Sequence, residues 1–174
     1  MIELPTDLPA DLAPLAWLIG VWEGSGVIDY PVGEERLQGE FTHRVSFSHD
    51  GGPFLNYAAT ATFVGDEGAP AVPLTAESAR TVDDVEALRS ANGAFPLEVS
   101  LARSDGMLEY YLGEINGPRV DLASDAIVRG AGAKDYGSAS RMYGLVDGHL
   151  LWAWDIAALG TPLRAHASAR LARV

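Results

Sequence analysis

What most limits the fold of this chain is a period-two alternation of side chains, cut at short intervals by glycine, proline and Asx-Gly pairs. In Phe41–His49 one parity holds Phe41, His43, Val45, Phe47 and His49, and the other holds Thr42, Arg44, Ser46 and Ser48. After Asp50-Gly51-Gly52-Pro53, the residues Leu55, Tyr57, Ala59, Ala61 and Phe63 alternate with Asn56, Ala58, Thr60 and Thr62. A strand turns successive side chains to opposite faces, so this pattern buries one face and leaves the other in water. The two runs predict an antiparallel hairpin. Leu97–Ala102, Met107–Ile115, Val120–Arg129, Ser138–Val146 and His149–Ile156 continue the pattern. Asp105-Gly106, Asn116-Gly117 and Asp147-Gly148 supply tight turns between them, because these residues tolerate the positive φ that hairpin turns require.

Helix is scarce. Pro9–Leu18 offers a short turn before Gly20, and Val85–Arg89 could make one or two turns ending at Gly93. Gly65–Val72 and Val82–Asn92, with their clustered acids, read as loops between strands. About ten short strands joined by tight turns predict an all-β, antiparallel up-and-down β-barrel over a single domain, 1–174, since closure removes exposed strand edges. Barrels of this size can enclose a ligand cavity, which makes small-molecule binding the first functional question.

Composition narrows the partners. The 174 residues carry 12 Lys plus Arg against 24 Asp plus Glu, a formal net charge of −12. That balance excludes nucleic acid, whose binding rests on cations at phosphates, and disfavours anionic membrane surfaces. There is no cysteine, hence no disulfide, thiolate metal site or thiol nucleophile. No apolar run approaches the ~20 residues of a membrane span, and Met1–Pro9 has acids where a signal peptide would carry Lys or Arg. The expected location is cytoplasmic. A homodimer is left open.

The densest motif is Gly20-Val21-Trp22-Glu23-Gly24-Ser25-Gly26, a G-x-W-x-G-x-G pattern. Trp22, Gly24 and Gly26 share a strand parity, so one face carries a large ring followed by two bare backbones. Glycine weakens a strand unless the strand bends or another backbone comes close. The motif therefore predicts a strongly bent first strand whose Trp22 plugs one barrel end. No phosphate cradle is implied, since the spacing differs from the dinucleotide fingerprint and no helix follows. There is no G-x-S-x-G elbow, no H-E-x-x-H and no defensible carboxylate dyad. Glu109 and Glu114 are expected as strand-surface charges, and Trp152 and Trp154, in parity with Leu150 and Ile156, as core or cavity wall. Of the histidines, His149 sits in a turn, while His43 and His49 share the parity of Phe41, Val45 and Phe47 and read as half-buried strand residues.

The motif, with Tyr30-Pro31, Phe47–Tyr57, Ala133-Lys134-Asp135 and Trp154–His166, resembles the nitrobindin family of small β-barrels over nearly the whole chain. The resemblance implies a bound haem b, held near the barrel mouth by a histidine on the last strand. It also implies ferric-haem isomerisation of peroxynitrite to nitrate, with nitric oxide as a further ligand. His166 lines up with the axial iron ligand, and a neutral imidazole suits iron. Lys134 lines up with a lysine near the haem, where a cation could pair with a propionate; Arg129 and Arg141 are weaker candidates for that task. Simple parity groups His166 with Arg164, Ser168 and Arg170, opposite Ala165, Ala167, Ala169 and Leu171, and does not decide which way it points. The chain departs from the family pattern at Val32, which stands where a Thr is common, and in Thr75–Arg80, where Thr75 and Ala79 replace a His and a Gly beside a retained Glu77. Val82–Phe95 is also longer than the usual connection. These departures favour a second reading, a carrier of a fatty acid or other small apolar ligand that has lost its haem.

Overall fold

The computed structural model describes residues 7–64, 73–82 (backbone only) and 93–174. A 3-10 helix, Ala10–Leu15, precedes ten strands: β1 (Gly20–Val32), β2 (Glu35–Ser48), β3 (Phe54–Phe63), β4 (Pro73–Val82), β5 (Phe95–Arg103), β6 (Met107–Asn116), β7 (Arg119–Arg129), β8 (Tyr136–Val146), β9 (His149–Ala158) and β10 (Thr161–Arg173). Each pairs antiparallel with its neighbours in sequence, and β1 pairs with β10 to close the barrel. The up-and-down order follows from the tight turns: Asp147 (φ 49°) and Gly148 (φ 74°) both take the left-handed conformation that matches hairpin twist. Val82, expected to open a loop, ends β4; the rest of that expected loop to Asn92, the loop expected at Gly65–Val72, the turn at Val85–Arg89 and the side chains of Thr75, Glu77 and Ala79 lie outside the described residues.

The first strand is built as its glycines require. A Cβ on Gly24 would stand 2.1 Å from the Arg170 carbonyl oxygen, and one on Gly26 would stand 2.2 Å from that of Ser168 and 2.5 Å from Phe41 Cζ. Only bare backbone lets β10 approach β1 this closely. Trp22 is 1 % exposed. Its Nε1 donates to the Leu18 carbonyl at 2.8 Å, and the Arg173 guanidinium lies 4.4 Å above its ring. With Leu12 and Leu15 of the 3-10 helix, both buried, it closes one end of the barrel. The alternating inner faces of β2, β3, β5 and β9 form one continuous core that includes Phe41, Val45, Leu55, Leu97 and Leu150.

Candidate functional site

At the other end, where the β1–β2, β5–β6, β7–β8 and β9–β10 connections meet, a cavity of about 160 Å³ opens. Its walls include Ile28, Tyr30, Met107, Trp154, Ile156 and His166, with Arg103 and Lys134 as the cations. Tyr30 ties β1 to β9 here: its hydroxyl donates toward the carbonyls of Ala158 (3.1 Å) and Ile156 (3.3 Å) and accepts from the Ala158 amide at 3.0 Å.

His166 faces this cavity because of a β-bulge. Along β10, Ala165 pairs with Asp155 and Ala167 with Trp154, so His166 is an extra residue against two consecutive partners. A bulge resets which face a side chain takes and is a recurrent device for re-aiming a residue at a site. Beyond it, Ala167, Ala169 and Leu171 point inward as their parity demands. His166 itself is half-buried. Its ring meets Tyr30 edge-on at 5.0 Å and Trp154 at 4.8 Å, with interplanar angles of 77° and 88°. Its Nδ1 is buried with no hydrogen-bond partner among the described residues. Burial, with help from Arg103 and Arg141, pushes its pKa down to about 4, so the imidazole is neutral at physiological pH.

Beneath the cavity the lumen is crossed by buried charges, where the sequence had predicted strand-surface acid. Glu109 is 2 % exposed and inward-facing, between Met107 and Tyr111 on β6. Its Oε2 accepts from Arg141 Nη2 at 3.2 Å, and its Oε1 lies 3.5 Å from Arg103 Nη1. Arg141 also donates Nε to the Tyr111 hydroxyl at 3.1 Å, and Arg103 reaches Asp105 at the rim at 2.7 Å. Both guanidiniums lie over the Trp154 ring, Arg103 at 4.6 Å and Arg141 at 4.5 Å from its centroid. Tyr136, next to Trp154, is buried, and its phenol pKa is raised by that burial and by Tyr111 and Glu109. Deeper still, the described side chains leave a void of only about 40 Å³ among Leu15, Leu55, Leu122 and Tyr143.

The structure thus brings His166 and Lys134 to one cavity, Lys134 exposed at the rim. Gly20, Trp22, Gly24 and Gly26 start the strand that supplies Ile28 and Tyr30, but Trp22 works at the opposite end. Arg129 is not among the lining residues but pairs at 2.6 Å with Asp135, which is, and Arg141 is sealed in the lumen rather than set at the rim. His149 is half-buried, with Nδ1 2.9 Å from the Asp147 carbonyl oxygen; His43 is buried against Phe41 and Trp152. Among the described residues no group of three His, Asp or Glu could hold a bare metal ion, and no helix is long and apolar enough to cross a membrane.

Residues 11–173 match the family described as THAP4-like, heme-binding beta-barrel domain. The chain is 50 % identical to the peroxynitrite isomerase of Leifsonia xyli subsp. xyli over 99 % of both chains. It is 49 % identical to that of Clavibacter michiganensis subsp. michiganensis over the full length of both. The crystal structure of Rv2717c from M. tuberculosis is similar with a TM-score of 0.78 at 27 % identity, covering 96 % of this chain and 99 % of the other. The barrel, its cavity and these matches place the chain in the family of THAP4-like, haem-binding β-barrel domains, the nitrobindins, whose cofactor is haem.

Proposed function

We propose that the chain binds haem b through His166, with Lys134 beside a propionate, and isomerises peroxynitrite to nitrate. One observation carries this reading: a bulge turns an uncharged, unpartnered imidazole into a cavity with a lysine on its rim. The donor set fits haem, for which a neutral histidine is a common axial ligand. At about 160 Å³ the cavity is below the roughly 300–1,000 Å³ of enclosing ligand sites, so it offers a wall to part of a macrocycle.

Ferric haem, when bound, supplies the Lewis acidity and one-electron chemistry that convert peroxynitrite into its isomer. The protein's own part is ligation, orientation and exclusion of water. His166 has Nδ1 buried, which leaves Nε2 as the donor atom, and its low pKa keeps that lone pair unprotonated. Tyr30 and Trp154 hold the ring edge-on from two sides. Ile28, Met107 and Ile156 give the cavity dry walls. Lys134, exposed, contributes a point charge whose effect salt will screen. Isomerisation changes neither composition nor charge, so no protein acid or base is required. Nitric oxide, small and uncharged, is on this reading a second ligand of the same iron.

Titration of the purified protein with hemin should give a Soret band of an imidazole-ligated haem, and the loaded protein should speed peroxynitrite decay. His166→Ala should lose both, with partial recovery on adding free imidazole. Equal hemin binding and an unchanged spectrum in His166→Ala would overturn the assignment. The rival reading, a fatty-acid carrier, gets no support from the described side chains, among which the deeper void of about 40 Å³ has room for roughly one water.

A further inference from the structure

The barrel seam stops short of the mouth. β1 pairs with β10 from Trp22 and Arg173 as far as Ile28 and Ala167, and the register ends there. Asp29–Val32 have no partner in β10, yet β1 and β2 stay paired to Val32 and Glu35. On the other side, β2 pairs with β3 only from Phe41 on, with one further bond from the Val64 amide to the Glu40 carbonyl. Residues 29–38 are therefore a two-stranded ribbon rooted at Ile28 and Gly39, and no ladder joins it to β10. Its outer face is stiffened by Asp29, which accepts from Arg36 Nη2 at 2.7 Å and from Gln38 Nε2 at 3.2 Å. Its inner face gives Tyr30, Val32 and Leu37 to the wall of the His166 cavity, and Val32 and Leu37 are still more than a third exposed.

A two-stranded ribbon is marginal in water by itself, so this one is held down by what it touches. Tyr30 supplies the hold. Its hydroxyl reaches past β10 to the backbone of β9 at Ile156 and Ala158. Among the described residues no other side-chain hydrogen bond joins the ribbon to β9 or β10. Arg164 adds an attraction to Asp29, on the exposed outer face. With the ribbon down, the cavity of about 160 Å³ is too small to admit a porphyrin. A second gap in the wall is better held. β7 and β8 pair only as far as Ala123 and Ser140, but beyond that point β7 stays on β6 and β8 on β9. The Ser124 hydroxyl also accepts from the Ala139 amide across that gap, at 2.9 Å.

We propose that the β1–β2 ribbon is the entry gate of the cavity and that the Tyr30 hydroxyl is its latch. The inference rests on the haem reading of the site. The ribbon turns on Ile28 and Gly39 away from β10, and the bonds from Tyr30 to Ile156 and Ala158 are the ones it breaks. Openings of this size lie far below global unfolding in free energy, because they break few bonds and expose little core. With the ribbon up, the Ala158 amide is free for water; with it down, that amide is buried and paired to Tyr30. The latch therefore sets the open fraction. Uptake of a ligand that enters only the open form scales with that fraction.

The first experiment needs no haem. The chain has no cysteine, so Met107→Cys puts a single thiol in the cavity wall, at a site 4 % exposed, and iodoacetamide reads how often the cavity opens. Val45→Cys, in the core at 0 % exposure, reads global unfolding instead. Labelling at Met107→Cys should be faster than at Val45→Cys and almost independent of urea, the mark of a small local opening. Tyr30→Phe keeps the ring that rests edge-on against His166 and removes the latch. In the Met107→Cys background it should speed labelling by on the order of tenfold, the worth of one hydrogen bond whose amide is left unpaired, still without urea dependence. Ser124→Ala, which removes the bond at the other gap, should change labelling by about twofold or less. Equal labelling with and without Tyr30→Phe, urea dependence as steep as at Val45→Cys, or an equal acceleration by Ser124→Ala would each overturn the gate. The second experiment is stopped-flow uptake of hemin. Tyr30→Phe in the otherwise unaltered chain should take up hemin faster than the parent, by on the order of tenfold, whereas a residue that merely stabilised the fold would slow uptake when lost. Faster labelling with unchanged uptake would overturn the ribbon as the route of entry. Failure of hemin to bind at all would refute the cofactor assignment and leave the thiol result to judge the latch.

Discussion

Deletion of Ala165 would test how the site is aimed. It removes one of the two residues that β10 sets against the step from Asp155 to Trp154. The shortened strand then pairs His166 with Asp155, between the inward-facing Trp154 and Ile156, so the imidazole points out of the barrel. The ladder from Ala167 to Ala172 keeps its register, and the barrel should remain closed. Two edge-on ring contacts are lost, with Tyr30 and Trp154. At roughly 0.5–1.5 kcal/mol each, these cost about 1–3 kcal/mol, or a fall in Tm of roughly 2–12 °C for a chain of this size. Hemin affinity should fall by about 100-fold or more, since loss of a mere supporting contact to a ligand already costs roughly 10–100-fold. The assay is a Soret titration beside a thermal melt. Adding Ala167→His to the deletion returns an imidazole to an inward position, because Ala167 faces the lumen and is 7 % exposed; binding should recover in part. A deletion variant that folds and still binds hemin as the parent does would refute the claim that the bulge aims the ligand.

Gly26→Ala places a methyl within 2.2 Å of the Ser168 carbonyl oxygen and should destabilise the β1–β10 seam by about 1–3 kcal/mol or more in urea unfolding, with Gly24→Ala behaving alike. Glu109→Leu removes the buried carboxylate that faces both Arg141 and Arg103 and should cost about 3–5 kcal/mol, part of which the double variant Glu109→Leu with Arg141→Met should restore. The His166 pKa, about 4 when folded against 6.5 unfolded, means that the unfolded chain takes up the proton first as pH falls. Stability from this group is therefore complete above pH 6.5 and is lost toward pH 4, by at most about 3 kcal/mol. Denaturation at a series of pH values should show His166→Ala losing less stability across that window than the parent.

Strand identity was legible because β2, β3 and β9 each carry a strong contrast between their two faces, and because Asx-Gly pairs fix where neighbours turn. The inward aim of His166 was not legible. A bulge here leaves no mark in composition; it exists as a mismatch between β9 and β10, and strand parity read through it inverts. Glu109 was misread for another reason. On β6 both parities carry large apolar residues, Met107 and Tyr111 on one and Leu108 and Leu112 on the other, so contrast cannot choose the buried face. What settles it is closure, which brings Arg103 and Arg141 from β5 and β8 to Glu109. That Leu108 and Leu112 are the exposed pair is the price of this arrangement. Lys134 needed only a loop at the correct end, and the resemblance to relatives had already pointed to it.

Pairing of the first strand with the tenth also has a consequence for biosynthesis. Trp22 meets Arg173 across the seam, so the ring of hydrogen bonds cannot be completed until the chain through Arg173 has left the ribosome. Until then β1 and β9 each present an unsatisfied edge, open to pairing with other nascent chains. The strand that ends this exposure is the one that carries His166. Newly made protein therefore gains the imidazole that faces the cavity in the same event that seals it against aggregation, and on the proposed reading free haem meets no half-built site beforehand.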